Sequence, residues 1–238
     1  MTRLAAPGAR RPKSSLAAAA PLTLLELQVG GRSGLARVRQ LRVRRSFSTL
    51  GSHLETLAAA QSLTDLCLQL NADEDPIDGL LPMLVLHLER LEALAGQTDE
   101  VLASAIQGSI HLLTLGGYSL PLQVCCRTGE QLNPPLGHWH WRCSLIAEDG
   151  FAIGSMPDAS LQLNPSELAL LQRLNRSDLP RRRDGSLMGP LQVWLKLLVV
   201  VDIWVRTHLP RRCRALSMLH EALTMPCLGD HGVTGTGS

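Results

Sequence analysis

Eight basic side chains near the start of the chain, Arg10, Arg11, Lys13, Arg32, Arg37, Arg39, Arg42 and Arg44, are spaced closely enough to meet a polyanion. Phosphates need neighbouring cations, and a guanidinium both forks onto phosphate oxygens and stacks on bases. Charge alone equally fits a solvated basic face or an organelle-targeting tail. Phe47 is the only aromatic residue before Tyr118. Binding through this stretch is therefore expected to be electrostatic, salt-sensitive and poor in sequence selectivity.

A second constellation is Cys125, Cys126, His138, His140 and Cys143. Zinc takes four ligands in a tetrahedron, usually as two close pairs across a loop. Thr128 stands where a Cys-x2-Cys knuckle starting at Cys125 would place its second sulfur, and Cys126 is merely adjacent. The expectation is a degenerate ribbon without zinc or other cofactor, held by packing of Trp139, Trp141 and Leu145. Nor do these residues announce a Cys–His nucleophile, since nothing beside them signals an oxyanion hole. No enzyme is expected. Arg181, Arg182 and Arg183, with Arg211, Arg212 and Arg214, are further candidates to hold an acidic peptide tail or a phosphate backbone. Taken singly, each group also suits an exposed loop or a helix end. His53, His87, His111 and His208 fall at helical positions without mutual spacing and read as ordinary surface or boundary residues.

The elements that must carry these groups follow from composition and period. The 238 residues are 45% hydrophobic, include 48 leucines and are only 3% aromatic, which favours helices. No run of 18 apolar residues is free of charge, so a membrane span is not expected. Six irregularly spaced cysteines suggest reduced thiols in a cytoplasmic compartment rather than a disulfide framework. The net charge of +2 hides an asymmetry: residues 1–50 sum to +9 and residues 51–120 to −9, where Arg90 is the one base. Apolar and polar residues alternate over 22–29, Gly30-Gly31 marks a turn, and a second extended run reaches Phe47. Arg37 and Arg39 have one parity there, Arg42 and Arg44 the other, so a bulge near Gln40 would gather all four on one face. Helical periods follow: one from a capping box at Ser52 and Glu55 to about Leu70, one from Pro76 to about Ala95, and one from Thr98 to Gly116-Gly117. Residues 121–162 read as irregular. Asn164-Pro165 starts a short helix, a long apolar helix spans about 190–208, and a last one runs from Arg211 to Leu223.

Several strings in this frame resemble the RecO family of bacterial DNA repair proteins. They are GARRPKSSL at 8–16, GGRSGL at 30–35, LLTLGGYSLPLQVCC at 112–126, LQLNPSELALLQRL at 161–174 and HLPRRCRALSML at 208–219. They stand in family order over about residues 5–220. The resemblance implies an α+β fold: a partial OB-fold-like barrel over 1–48, a helical domain over 49–120 and 163–225, a degenerate zinc-ribbon-like module over 121–162, and a disordered tail over 226–238. It also implies a cytoplasmic, nucleoid-associated mediator of recombination that binds and anneals single-stranded DNA. Its partners would be RecR, single-strand-binding protein and, indirectly, RecA, with no role for a membrane. The basic stretch would hold DNA, and neutralising the phosphates of two strands would let them pair.

Two departures from the family pattern stand out. The zinc ligands are incomplete, and about two strands that the family places before its GARRPKS-like motif have no counterpart here. The second departure gives the expectation that the gene starts upstream of Met1 or that residues 1–47 are loosely ordered. Rival readings are an interaction protein that binds repair partners through its helices without annealing DNA, and an organelle-directed protein losing its first 25 residues. Against the latter, Pro21 and Glu26 interrupt the only signal-like run.

Overall fold

A computed structural model describes residues 4–5, 20–30, 36–71 and 76–224 of the chain. The expected tail at 226–238 and the basic residues Arg10, Arg11, Lys13 and Arg32 lie outside the described residues. Among these residues the chain forms six α-helices and two three-stranded sheets, a mixed α/β architecture with no closed barrel.

The first sheet has the order β1-β3-β2. Strand β2 (Thr23–Gly30) and β3 (Ala36–Ser46) form a long antiparallel ribbon, and β1 (Leu4–Ala5) pairs in parallel with the start of β3. The ribbon is anchored at its base, where Phe47 N–H donates to Leu22 O at 2.9 Å and Phe47 itself is buried.

A 3-10 turn at Ser48–Ser52 leads into α1 (Leu54–Leu70). The capping box expected at Ser52 and Glu55 does not form. Ser52 is spent in the 3-10 turn, His53 becomes the N-cap, and Thr56 Oγ1 donates instead to Leu50 O and His53 O at 2.8 and 3.0 Å. The second helix, α2 (Leu80–Ala93), starts later than Pro76, because Gly79 at φ +81 breaks the helical run just before it. Helix α3 (Thr98–Leu115) is the centre of the body: twelve of its residues between Val101 and Leu113 are buried. A helix apolar on every side must be wrapped by others, and α3 packs against α1, α2 and α5 (Leu191–His208). The last helix, α6 (Arg214–Thr224), lies on α1, where Cys213 Sγ approaches Ser62 O at 3.7 Å.

Residues 121–162, expected to be irregular, contain a second sheet of β4 (Cys143–Ile146), β5 (Gly150–Ile153) and β6 (Leu161–Leu163), ordered β5-β4-β6. All four residues of β4 are buried, so no alternation betrays the strand in sequence. Leu122, Cys125, Leu145 and Phe151 join the same core as the helices. Helix α4 (Pro165–Arg173) begins as Asn164-Pro165 predicts, with a full capping box between Asn164 and Glu167. Its Gln172 Nε2 donates to Leu122 O and Leu132 O at 2.8 and 2.7 Å, which pins the module to the helix.

The chain after α4 is fastened to α2 and α3 by a histidine pair, the buried His87 and the half-buried His111. His111 Nε2 faces Leu174 O at 3.0 Å and Arg176 O at 3.1 Å. Carbonyls only accept, so this nitrogen carries the proton and His111 Nδ1 accepts from His87 Nε2 at 3.1 Å. His87 Nδ1 is left buried with no partner among the described residues. Burial, then the nearby His111 and Arg90, push the His87 imidazole down to about 3, so it is neutral. The sequence had given these two histidines no common purpose. They lie 24 residues apart on separate helices, a relation that spacing within one helix does not report.

Candidate nucleic-acid interface

The β2–β3 register decides where each arginine points. Gly30 pairs with Arg37, Val29 with Val38, Gln28 with Gln40, Glu26 with Arg42, Leu25 with Val43 and Leu24 with Arg45. The ladder thus skips Arg39 and Arg44, at irregularities opposite Gln28/Val29 and Leu24/Leu25. The first lies beside Gln40, where parity calls for a bulge. Alternation along β2 then puts Arg37, Gln40, Arg42 and Arg45 on one face, and Val38, Leu41 and Val43 on the other with Leu25, Leu27 and Val29.

These arginines differ in what they touch. Arg37, Arg39 and Arg42 are exposed and make no ion pair among the described residues. The Arg39 guanidinium lies over Gly30, where a Cβ would run into it. Arg44 pairs with Glu26 across the ribbon at 2.7 Å. Arg45, which the sequence reading passed over, bridges Glu89 at 2.5 Å and Glu92 at 2.9 Å on α2 and stacks 4.9 Å above the Phe47 ring. Parity did not signal it: only a second bulge, at Arg44, turns Arg45 towards the body. The ribbon offers phosphates three guanidinium groups that are unpaired among the described residues. It presents no aromatic platform, because Phe47 is only 1% exposed.

The other arginine groups have separate neighbours. Arg181 holds Glu100 at the start of α3 through two 2.7 Å bonds and also donates to Gly185 O. Arg182 and Arg183 are exposed beside it. Arg211, Arg212 and Arg214 are exposed at the corner between α5 and α6, with Arg212 in the field of Asp202.

The cysteine module keeps a knuckle-shaped turn. Gly129 N–H donates to Cys125 O at 2.9 Å, Cys126 N–H to Phe151 O at 2.8 Å, and Ile153 N–H to Cys125 Sγ at 3.3 Å. Burial raises the Cys125 thiol, but hydrogen bonds from Thr128, Ile153 and Arg127 outweigh it and bring the thiol down to about 7. Cys143 sits opposite Ile153 on β4, and burial pushes its thiol up to about 12. Cys126, His138 and His140 are exposed. Arg127 fixes the turn by ion pairs to Asp149 at 3.0 Å and Asp158 at 2.6 Å. Among the described residues no three His, Cys, Asp or Glu side chains converge as a ligand set. Nor is any described helix long and apolar enough to cross a membrane.

Comparison with known proteins bears on residues both inside and beyond this interface. Residues 51–217 match the family described as Recombination protein O C terminal. The chain is 66% identical over 238 residues to the DNA repair protein RecO of Parasynechococcus marenigrum (strain WH8102), covering all of this chain and 88% of that protein. It is 70% identical over 223 residues to the protein of the same name from Synechococcus sp. (strain CC9605), covering 94% and 86%. At greater distance, the one from Trichodesmium erythraeum (strain IMS101) is 26% identical over 247 residues.

Proposed function

The chain belongs to the RecO family of DNA repair proteins, and from that premise we propose that it binds and anneals single-stranded DNA and, with RecR, helps to load RecA on strands covered by single-strand-binding protein. The observation that carries this reading is the set of exposed guanidinium groups of Arg37, Arg39 and Arg42 on one ribbon, unpaired among the described residues. Each neutralises a phosphate without covalent chemistry, so two strands repel less and their bases can pair. Arg10, Arg11, Lys13 and Arg32 extend the same basic stretch in sequence. In this proposal residues 1–48 make an OB-fold-like unit, 121–162 a zinc-ribbon-like module without zinc, and 49–120 with 163–225 the helical body. The protein acts in the cytoplasm, at the nucleoid, and is not an enzyme.

Titration of an oligo(dT) strand by fluorescence anisotropy at several salt concentrations tests the reading. Each phosphate contact on a single strand adds about −0.7 to the slope of log K against log salt. Replacing Arg37, Arg39 and Arg42 together by Gln is expected to flatten that slope by about 2. An unchanged slope would remove the ribbon from the interface. Elemental analysis of purified protein is expected to find no stoichiometric zinc. About one zinc per chain, lost on replacing Cys125 and Cys143, would overturn that part.

One observation favours the rival reading of a partner-binding protein that does not anneal: Arg44 and Arg45 are already neutralised by carboxylates of the chain itself. A strand-annealing assay separates the two, since the rival predicts no acceleration at any protein concentration.

A further inference from the structure

We propose that a pocket floored by Ser104 and walled by Arg90 and Arg181 is a binding site for a phosphate-class oxyanion, separate from the β2–β3 ribbon. The pocket has a volume of about 370 Å³ and lies between the end of α2, the first turns of α3 and the segment 177–181.

Two observations point to an anion. Arg90 is the only Lys or Arg in residues 51–120, and it finds no carboxylate among the described residues. One of its nitrogens donates to Gln107 Oε1 at 3.2 Å and Ser177 O at 2.9 Å. Both acceptors are neutral, and the rest of the guanidinium is unpartnered among those residues. A half-buried cation whose direct contacts among the described residues are all neutral lacks the ion pair that would offset its desolvation. Independently, Ser104 is fully buried and its Oγ has no hydrogen-bond partner among the described residues. That is unusual on this helix, because the hydroxyls of Ser109 and Thr114 each donate to the carbonyl four residues back. Ser104 thus brings an unused donor to the same cavity as the uncompensated cation.

The rest of the pocket sets the class of ligand. Arg181 is held rigid by its paired bonds to Glu100, so it shapes the wall while its charge is balanced. Asp178, exposed and bonded by Ser177 Oγ at 3.3 Å, is the opposing acid. Arg176, Arg182 and Arg183, close in sequence to the lining residues Ser177 and Arg181, are exposed. An oxyanion with several acceptor oxygens can take the Arg90 fork and the Ser104 hydroxyl together. A phosphodiester chain carries further negative charge towards this basic segment, whereas a lone carboxylate does not. The two sources of such a group are free phosphate and a strand phosphate.

The test uses the full chain with inorganic phosphate as probe, read by its thermal midpoint and by 31P line broadening, against chloride at matched ionic strength. Phosphate is expected to raise the midpoint by a few degrees and broaden its own resonance. Ser104→Ala should fold at least as well, since it removes an unmet buried hydroxyl, yet reduce both responses several-fold. Arg90→Gln should abolish them. No phosphate-specific response in the unaltered chain, or a full response in both variants, would overturn the site. A response to acetate or to a peptide carboxylate in place of phosphate would overturn the ligand class. If 5′-phosphorylated oligo(dT) binds more tightly than its 5′-hydroxyl form and Ser104→Ala removes the difference, the source is a strand. Equal binding of the two, with the inorganic response intact, supports the site with free phosphate as ligand. The Arg37, Arg39 and Arg42 triple variant should keep the phosphate response, so failure of the ribbon reading and failure of this site are distinguishable.

Discussion

Arg45, at the end of the ribbon, holds Glu92 of α2 at 2.9 Å across 47 residues of chain. Its second arm reaches Glu89, and Glu92 also accepts from the hydroxyl of Thr49. Arg45 is therefore a fastener, whereas Arg42, three residues earlier on the same face, is open to solvent. Arg45→Gln is expected to speed amide exchange over 36–46 while leaving α3 protected. Because Arg45 binds carboxylates of its own chain, the variant should change the salt slope of DNA binding much less than Arg42→Gln does. Equal losses of slope in the two variants would refute this division of labour.

The ribbon was legible because alternation is a local signal, and parity even located one bulge beside Gln40. The second bulge, at Arg44, left no such mark, so the turn of Arg45 towards α2 stayed hidden. The helices were legible from their apolar period, although their starts moved where backbone geometry overrode the expected caps: Gly79 at φ +81 delays α2, and the 3-10 turn consumes Ser52. Strands β4 and β5 were illegible for the opposite reason. They are short and buried on both faces, and a continuous apolar run carries no period. The commitments of Arg44, Arg45 and Arg181 to acids, and the meeting of His87 with His111, are tertiary facts. Residue types and spacing name Arg44 and Arg181 as candidates without saying that they are already spoken for, and they do not single out Arg45, His87 or His111.

Glu26 offers a gain-of-binding test. It accepts from Arg44 at 2.7 Å and is about as exposed as its partner. An exposed pair of this kind contributes little to stability, about 0–1 kcal/mol. Glu26→Gln should leave the thermal midpoint nearly unchanged, free the Arg44 guanidinium, tighten binding to oligo(dT) at low salt and steepen the salt slope by about 0.7. Weaker binding would mean that Arg44 needs Glu26 to hold a productive pose.

The histidine pair, with His87 buried, makes stability depend on pH in a defined direction. In the folded chain burial, His111 and Arg90 push His87 down to about 3, while an unfolded histidine titrates near 6.5. Between those values the unfolded state binds a proton that the folded state refuses. Stability is therefore full above about pH 6.5 and falls as pH drops, by up to about 1.4 kcal/mol per unit for one histidine. His111, also pushed down by burial, acts in the same sense. Urea midpoints should fall between pH 7.5 and 5.5, and His87→Gln should fall less steeply. A midpoint that holds or rises on acidification contradicts the neutral pair.

Gly108 sits where α3 passes close to His87, and its replacement sets two known effects against each other. A Cβ at that position would lie 3.0 Å from His87 Cγ and 3.0 Å from Leu63 Cδ2. Ala favours a helix over Gly by about 1 kcal/mol. Overfilling a packed core costs about 1–3 kcal/mol. The ring has little freedom to retreat, since His87 is fully buried and its Nε2 is tied to His111. Leu63 is also fully buried, so neither neighbour can yield into solvent. Overpacking should therefore win, and Gly108→Ala is expected to destabilise the chain by up to about 2 kcal/mol. Displacing His87 also strains the bond to His111, and through it the two carbonyls at Leu174 and Arg176. Amides in 174–177 should then exchange faster than those of α5. A variant as stable as the unaltered chain, with that segment still protected, would show that the pair tolerates a methyl group and does not fasten the segment in the way described.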